Sequence, residues 1–301
     1  MNDSQESSNI PKYFLPPKKT NKKTLVLDLD ETLVHSQFFE FSIPSDITIK
    51  IEIEKEIYDI HVLVRPGVEK FIKTMKDYYE IIIFTASISK YADILMNIID
   101  PNNYCPYRLF REHCSFINNN YVKDLKRLGR NLKDTIIVDN SPLSYSLHPD
   151  NGLPILTWFE DKNDTELFKL KPVLEFLSYV PDVRDFIPKF IGENNKINYE
   201  KTKEIINGYK GPKYIVQDKE NENKNNNKKN LKINPKEIHV NIEIVDKNSH
   251  NNALRKRNNK NKTNEKKSNK NNYKKYHDKL ATNNTGHLTP LYKNQKRFLY
   301  L

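Results

Sequence analysis

Residues 24–32 read Thr-Leu-Val-Leu-Asp-Leu-Asp-Glu-Thr, and the change of character at Asp28 decides the fold. Thr24–Leu29 is a short β-rich run, as expected of a strand covered on both faces. It delivers two carboxylates, Asp28 and Asp30, at its C-terminal end. In sheets with helices on both faces the ligand sits beyond the carboxyl ends of the strands. An acidic pair standing alone also occurs on solvated loops; here the apolar run gives the pair a direction.

The pattern recurs downstream. Glu80–Thr85 (Glu-Ile-Ile-Ile-Phe-Thr) and Asp134–Val138 (Asp-Thr-Ile-Ile-Val) are two more apolar runs, the second leading straight into Asp139-Asn140. Leu153–Trp158 is expected to add a fourth strand. Between the runs the apolar period lengthens: Val68, Phe71, Ile72 and Met75, then Lys90–Ile99, then Leu167, Leu170, Val173, Leu174 and Leu177 recur at helical spacing. Strands alternating with helices imply a mainly parallel sheet with helices on both faces, an α/β, Rossmann-like three-layer sandwich. Residues Ile47–Val64 differ. Ile47, Ile49, Ile51 and Ile53, and after a charged turn Tyr58, Ile60, Val62 and Val64, alternate with polar residues, which predicts a half-exposed β-hairpin inserted after the first strand. Arg65-Pro66-Gly67 ends it, with Pro66 suited to a first helical turn.

Charge divides the chain. Residues 1–190 hold 24 Lys and Arg against 28 Asp and Glu, out of 50 and 39 in the whole sequence. The remaining 111 residues are therefore net +15, and the pI of 9.2 describes them rather than the body. Residues 1–21 read as a disordered lead, 22–192 as the folded domain, and 193–301 as an Asn/Lys-rich, mostly disordered basic tail, with too few apolar residues to offset its ordering entropy. Within the tail, Glu237–Val245 alternates with period two, either a binding strand that orders on a partner or a local fluctuation. Two cysteines, Cys105 and Cys114, exclude a disulfide scaffold and fit reduced thiols of a nuclear or cytosolic protein. No apolar run is long enough for a signal peptide or a membrane span, so no membrane partner is expected.

The chemistry is expected at the strand ends. Of two carboxylates two residues apart, one can attack phosphorus to form an aspartyl-phosphate; the other can protonate the leaving oxygen and then take a proton from water. Thr85 and Ser87 end the second strand, where a hydroxyl donates to phosphate or caps the next helix. Asp139 and Asn140 end the third, as hard oxygen ligands for Mg²⁺ or as an Asx-turn before Pro142. Lys123 either neutralises a transferring phosphoryl group or is a surface lysine. His35, His61, His113 and His148 show no ligand spacing and read as structural.

D-x-D-x-T, then Thr, Lys and Asp-Asn, in this order, is the plan of haloacid-dehalogenase-type phosphotransferases. The sequence resembles one of their families, the small C-terminal-domain phosphatases that act on RNA polymerase II. The resembling stretches are Leu27–Ser36 (LDLDETLVHS), Phe84–Asp93 (FTASISKYAD), Leu109–Glu112 (LFRE), Asn120–Arg130 (NYVKDLKRLGR) and Val138–Tyr145 (VDNSPLSY), extended by His148–Asn151 and Trp158-Phe159. The resemblance implies that Asp28 is the nucleophile and Asp30 the general acid/base. It implies that Thr32 and Thr85 contact phosphate oxygens and that Lys123 balances their charge. Mg²⁺ would be held by the Asp28 carboxylate, the Asp30 carbonyl and Asn140, with Asp139 close by. Arg111 would meet the substrate phosphate or its flank, and Phe38, Ile88 and Tyr91 either line a pocket for a proline-containing peptide or pack in the core.

The expected function is thus a Mg²⁺-dependent protein serine/threonine phosphatase, nuclear (or cytoplasmic), acting on the RNA polymerase II C-terminal repeats or on another phosphoprotein. The competing reading is a non-catalytic import receptor or tether of the same fold, which the presence of both acids opposes. The basic tail is expected to serve as filler, as an import signal, or as a contact for nucleic acid or an acidic partner.

Overall fold

The structure, a computed structural model, describes residues 13–53 and 55–211. Ten strands are present: β1 (Lys23–Leu27), β2 (Val34–Gln37), β3 (Ile47–Ile53), β4 (Glu56–Val64), β5 (Tyr79–Phe84), β6 (Tyr107–Leu109), β7 (Ser115–Ile117), β8 (Asn120–Val122), β9 (Thr135–Asp139) and β10 (Gly152–Pro154). Five helices accompany them: α1 (Val68–Met75), α2 (Ser89–Ile99), α3 (Glu166–Leu177), α4 (Ile187–Phe190) and α5 (Tyr199–Gly208).

The central sheet has the order β10-β9-β1-β5-β6, and every pairing in it is parallel. β1 and β5 are buried along their whole length, so their sequences read as continuous rather than alternating apolar runs. Alternate residues still serve different layers. Val26, Ile82, Phe84 and Ile137 pack with Leu125, Leu128 and Tyr145 on one face. On the other face the Tyr79 hydroxyl donates to the Leu174 carbonyl of α3, 2.5 Å away, and α3 packs against α1.

From β1 the chain passes to β5 and β6 on one side, then returns to β9 and β10 on the other. That reversal opens a crevice at the carboxyl end of β1, the position where doubly wound sheets bind ligands.

The insertion is a three-stranded antiparallel sheet, β2-β4-β3, whose hairpin pairs Ile47 with Val62 and Ile53 with Glu56. Its root is fastened by Arg65. The guanidinium is buried, grips Asp164 through two nitrogens at 2.8 and 2.9 Å, and donates to the Thr32 carbonyl at 3.0 Å. Pro66 lies in the turn before α1 rather than in its first helical turn; Gly67, at φ 88°, makes the junction, a left-handed value that glycine adopts without steric cost.

Three expectations are corrected. Leu153–Trp158 is a strand only as far as Pro154; after Ile155 donates to the Asp139 carbonyl the chain turns away, and Trp158 N–H donates to the Glu31 carbonyl. The lead is packed from Tyr13 onward: Phe14 N–H donates to the Arg127 carbonyl at 2.7 Å, its ring lies under the Arg127 guanidinium, and Arg130 reaches the Pro16 carbonyl. The folded body also runs past residue 192, because α5 packs on α3 and α4 and buries Thr202 and Ile206. Glu237–Val245 and the rest of the tail lie outside the described residues. Among those residues no helix is long and apolar enough to cross a membrane.

Candidate active site

Asp28 follows β1 directly. Its N–H donates to the Val138 carbonyl at 3.0 Å, which extends the β1–β9 ladder by one bond and fixes the backbone that carries the carboxylate. Beyond it, Glu31 takes a left-handed φ of 56°, and Leu29 O accepts from Leu33 and Val34. This tight loop turns Thr32 back towards Asp28. β5 brings Thr85 and Ser87 alongside, and β9 brings Asp139 and Asn140.

The two acids that the sequence placed two residues apart have different surroundings. Asp28 Oδ1 accepts from Lys123 Nζ at 2.6 Å and Oδ2 from the Thr32 hydroxyl at 3.0 Å. Lys123 also meets Asp139 Oδ2 at 2.6 Å and is 1% exposed, so it is not a surface lysine. Burial alone would push that ammonium down, but the Asp139 and Asp28 carboxylates outweigh it and hold its pKa above the ordinary value. The other Asp139 oxygen accepts from Ser141 N–H at 2.8 Å. Asp139 thus makes an Asx-type turn and steadies Lys123 at once. Burial and the nearby Asp28 charge, set against Lys123, raise Asp139 to about 6.

Asp30 has no ammonium within bonding distance among its described partners. Its Oδ2 accepts from Ser87 Oγ at 2.8 Å and Thr85 Oγ1 at 3.2 Å, and its Oδ1 from the Tyr91 hydroxyl at 3.1 Å. Burial first, then the charges of Glu31 and Asp28, push its carboxyl up to about 6. Neighbouring carboxylates held in unlike environments are how one site divides nucleophile from acid.

Thr85 donates to Asp30 while accepting from Ser87 N–H at 3.0 Å, and it does not cap α2, whose N-cap is Ile88 with no side-chain cap bond. Thr32 Oγ1 stands 3.0 Å from Asp28 Oδ2 and 3.3 Å from Asn140 Oδ1. One hydroxyl proton cannot serve both acceptors, so when Thr32 donates to Asp28 the Asn140 amide oxygen receives nothing from it. Asn140 is oriented by its Nδ2, which donates to Thr157 at 3.1 Å. The oxygen-only donor set fits Mg²⁺. Among the described residues no three His, Cys, Asp or Glu side chains gather as a metal cage.

Arg111 is anchored by Nε on the Ala86 carbonyl at 2.8 Å, with its guanidinium over the Tyr121 ring. This sets it beside Ser87, to which its own N–H also links. Phe38 is half-buried, edge-on to Tyr58, and Ile88 is half-buried at the start of α2. Tyr91 does not share an open wall with them: it is wholly buried, and its hydroxyl contacts Asp30 and Ser36. Sequence reasoning offered the strand-end hydroxyls, Ser87 among them, a phosphate or a helix cap rather than Asp30, and gave Ser36, Ser141 and Thr157 no role. Ser87's position two residues beyond a strand end was the one available signal.

The family model described as NLI interacting factor-like phosphatase matches residues 23–184. A probable C-terminal domain small phosphatase of Dictyostelium discoideum is 50% identical over 183 residues, which cover 60% of this chain and 59% of that protein. The human carboxy-terminal domain RNA polymerase II polypeptide A small phosphatase 1 is 46% identical over 187 residues, 60% of this chain and 71% of that protein. The solved structure of Fcp1, an essential RNA polymerase II CTD phosphatase, overlaps 56% of this chain and 70% of its own with a TM-score of 0.49 and 16% identity. The chain spans about half the length of most of the curated relatives it matches. The parallel α/β sheet, the acids at the end of its central strand and the matched span of 23–184 together assign this chain to the NLI interacting factor-like phosphatase family.

Proposed function

We propose that the protein is a Mg²⁺-dependent serine/threonine phosphatase that works through an aspartyl-phosphate on Asp28. The observation that carries this reading is the split between the two acids, with Asp28 on the Lys123 ammonium and Asp30 among neutral hydroxyls. The Lys123 ammonium, 2.6 Å from Oδ1, fixes the direction of the Asp28 carboxylate, the group that attacks phosphorus. A carboxyl raised to about 6 carries a proton for part of the time near neutral pH, as a general acid must.

In the first half-reaction an Asp28 oxygen forms a bond to phosphorus, the bond from phosphorus to the serine oxygen breaks, and the proton of Asp30 passes to that oxygen. In the second, the Asp30 carboxylate takes a proton from water as the water oxygen attacks phosphorus. The Asp28–phosphorus bond then breaks and phosphate is released. Lys123 and the Thr85 hydroxyl stand where charge develops on the phosphoryl oxygens. Asp28, Asn140 and the Asp30 carbonyl would hold Mg²⁺, which when bound offsets the repulsion between carboxylate and phosphate ester.

The names of the relatives support a phosphoprotein substrate, with the phosphorylated RNA polymerase II C-terminal repeats first among them and hence a nuclear site of action. Phe38, Ile88 and Arg111 at the rim suit a peptide. The test is hydrolysis of a panel of phosphoserine and phosphothreonine peptides, heptad repeats included, with Mg²⁺ and with chelator. Wild type should turn over with Mg²⁺ only, and Asp28→Asn should lose at least about 10⁴-fold of the rate with an unchanged circular dichroism spectrum. Retained activity in Asp28→Asn refutes the nucleophile.

A further inference from the structure

We infer that Ser87 and Tyr91 are positioning residues for Asp30, pinning its carboxyl in the plane that delivers a proton to an alkoxide leaving group. The inference rests on the proposed function and adds residues to it. The terminal torsion of an aspartate is soft and nearly two-fold, so a carboxyl without partners at this site would swing. Here both oxygens are held: Oδ2 by Ser87 at 2.8 Å and Thr85 at 3.2 Å, Oδ1 by Tyr91 at 3.1 Å.

The donors are themselves rigid. Ser87 is 4% exposed, and its N–H is bonded to Thr85 Oγ1. Tyr91 is wholly buried on α2, and its hydroxyl is backed by the Ser36 hydroxyl of β2. The loop after β5 and helix α2 thus converge on one carboxyl, with β2 backing the second, the construction that holds catalytic geometry closely.

Thr85 cannot do this alone. Its hydroxyl is shared with Ser87 N–H and is the group expected to engage the substrate phosphate. Once it does, Ser87 holds Oδ2 and Tyr91 holds Oδ1. A lysine or arginine in their place would hold the carboxyl equally well but would favour its ionised form and oppose proton delivery. Hydroxyls donating to the carboxylate also favour its ionised form, but with no formal charge they do so less than an ammonium or guanidinium. Tyr91 therefore acts through its hydroxyl on the acid rather than through its ring on a peptide.

A role in aiming the acid has a signature that a merely structural role lacks. A serine alkoxide needs a proton to leave; a nitrophenolate leaves without one. The experiment compares kcat/KM, which reads the steps through leaving-group departure, for a phosphoserine peptide and for p-nitrophenyl phosphate. It uses wild type, Ser87→Ala and Tyr91→Phe, each with a thermal melt. Each variant should lose about tenfold or more on the peptide beyond its loss on the aryl ester, a barrier difference of about 1.4 kcal/mol. Equal losses on both esters, or none on either, overturn the inference; Tyr91→Phe keeps the ring, so a packing defect in Ser87→Ala leaves the second variant to decide. A wild type inert toward both esters overturns the proposed function, and this inference with it.

Discussion

Replacing Lys123 with methionine removes the ammonium between Asp28 and Asp139 and keeps a chain of similar length. Each contact is 2.6 Å, worth about 6 kcal/mol at an effective dielectric of ~20. Desolvation of each buried ion takes back several kcal/mol, so the attraction is largely spent in holding the charges in the interior. What the variant leaves is two carboxylates without their cation, and removing one partner of a buried pair costs about 3–5 kcal/mol. That is a large share of the ~5–15 kcal/mol a domain has. The loss should depend on pH. Without the ammonium the Asp139 carboxyl, already at about 6 with Lys123 present, moves further above its unfolded value of about 4. The folded variant then binds protons that the unfolded chain releases, so its penalty is smallest below about pH 4 and grows as pH rises through the folded value. Urea denaturation in chelator, from pH 4 to 8, reads both effects. The double variant Lys123→Met/Asp139→Asn should recover part of the loss. A cost below about 1 kcal/mol, as for an exposed ion pair, or one that is flat with pH, refutes this account of the site.

Gly152→Ala should destabilise by about 1–3 kcal/mol, because a Cβ there would stand 2.1–2.8 Å from ring atoms of the buried Tyr145; urea melts check it. Cys114 should label slowly in the native state. Burial pushes its thiol up to about 11, so near pH 8 only about one in 10³ is thiolate, against roughly one in four for a free cysteine of pKa 8.5. Labelling with a disulfide reagent should be at least about 100-fold faster in urea. Phe14→Ala should cost about 1–3 kcal/mol, read by the same melts, because the ring packs on Arg127, His113 and the core beneath; no change would show the segment to be a passive lead.

The parts legible in sequence share a physical reason. β1, β5 and β9 are buried on both faces and must be apolar throughout, and the β3–β4 hairpin is half-exposed and must alternate. Three-residue strands such as β6, β7 and β8 are too short to carry a period. The docked segment from Tyr13 is a short apolar stretch cut off by Pro16 and Pro17, too brief to carry a period, and its partners Arg127 and Arg130 lie more than a hundred residues away. α5 buries only Thr202 and Ile206 of its ten residues, so its composition blends into the tail. At the site, Asp28, Asp30, Thr85 and Asn140 announce themselves by following apolar runs. Lys123 follows a three-residue strand, and its burial depends on two carboxylates from other strands. The partners of Asp30 depend on Ser36 and Tyr91 meeting across β2 and α2, which no local pattern encodes.

The Arg65 clamp at the root of the hairpin separates two kinds of change. Below it, Thr32 and Asp164 are held to the same guanidinium, so the catalytic loop tolerates little alteration. Above it β3, with Ile49 and Ile51 buried, packs against α2, and the strands then run outward to a turn at Lys55 with Ile57 72% exposed. Residues there can be exchanged or the hairpin lengthened without disturbing the acids. One chemistry can thereby be fitted with different grips, and relatives of this chain can diverge in what they hold while the hydrolytic end stays as it is.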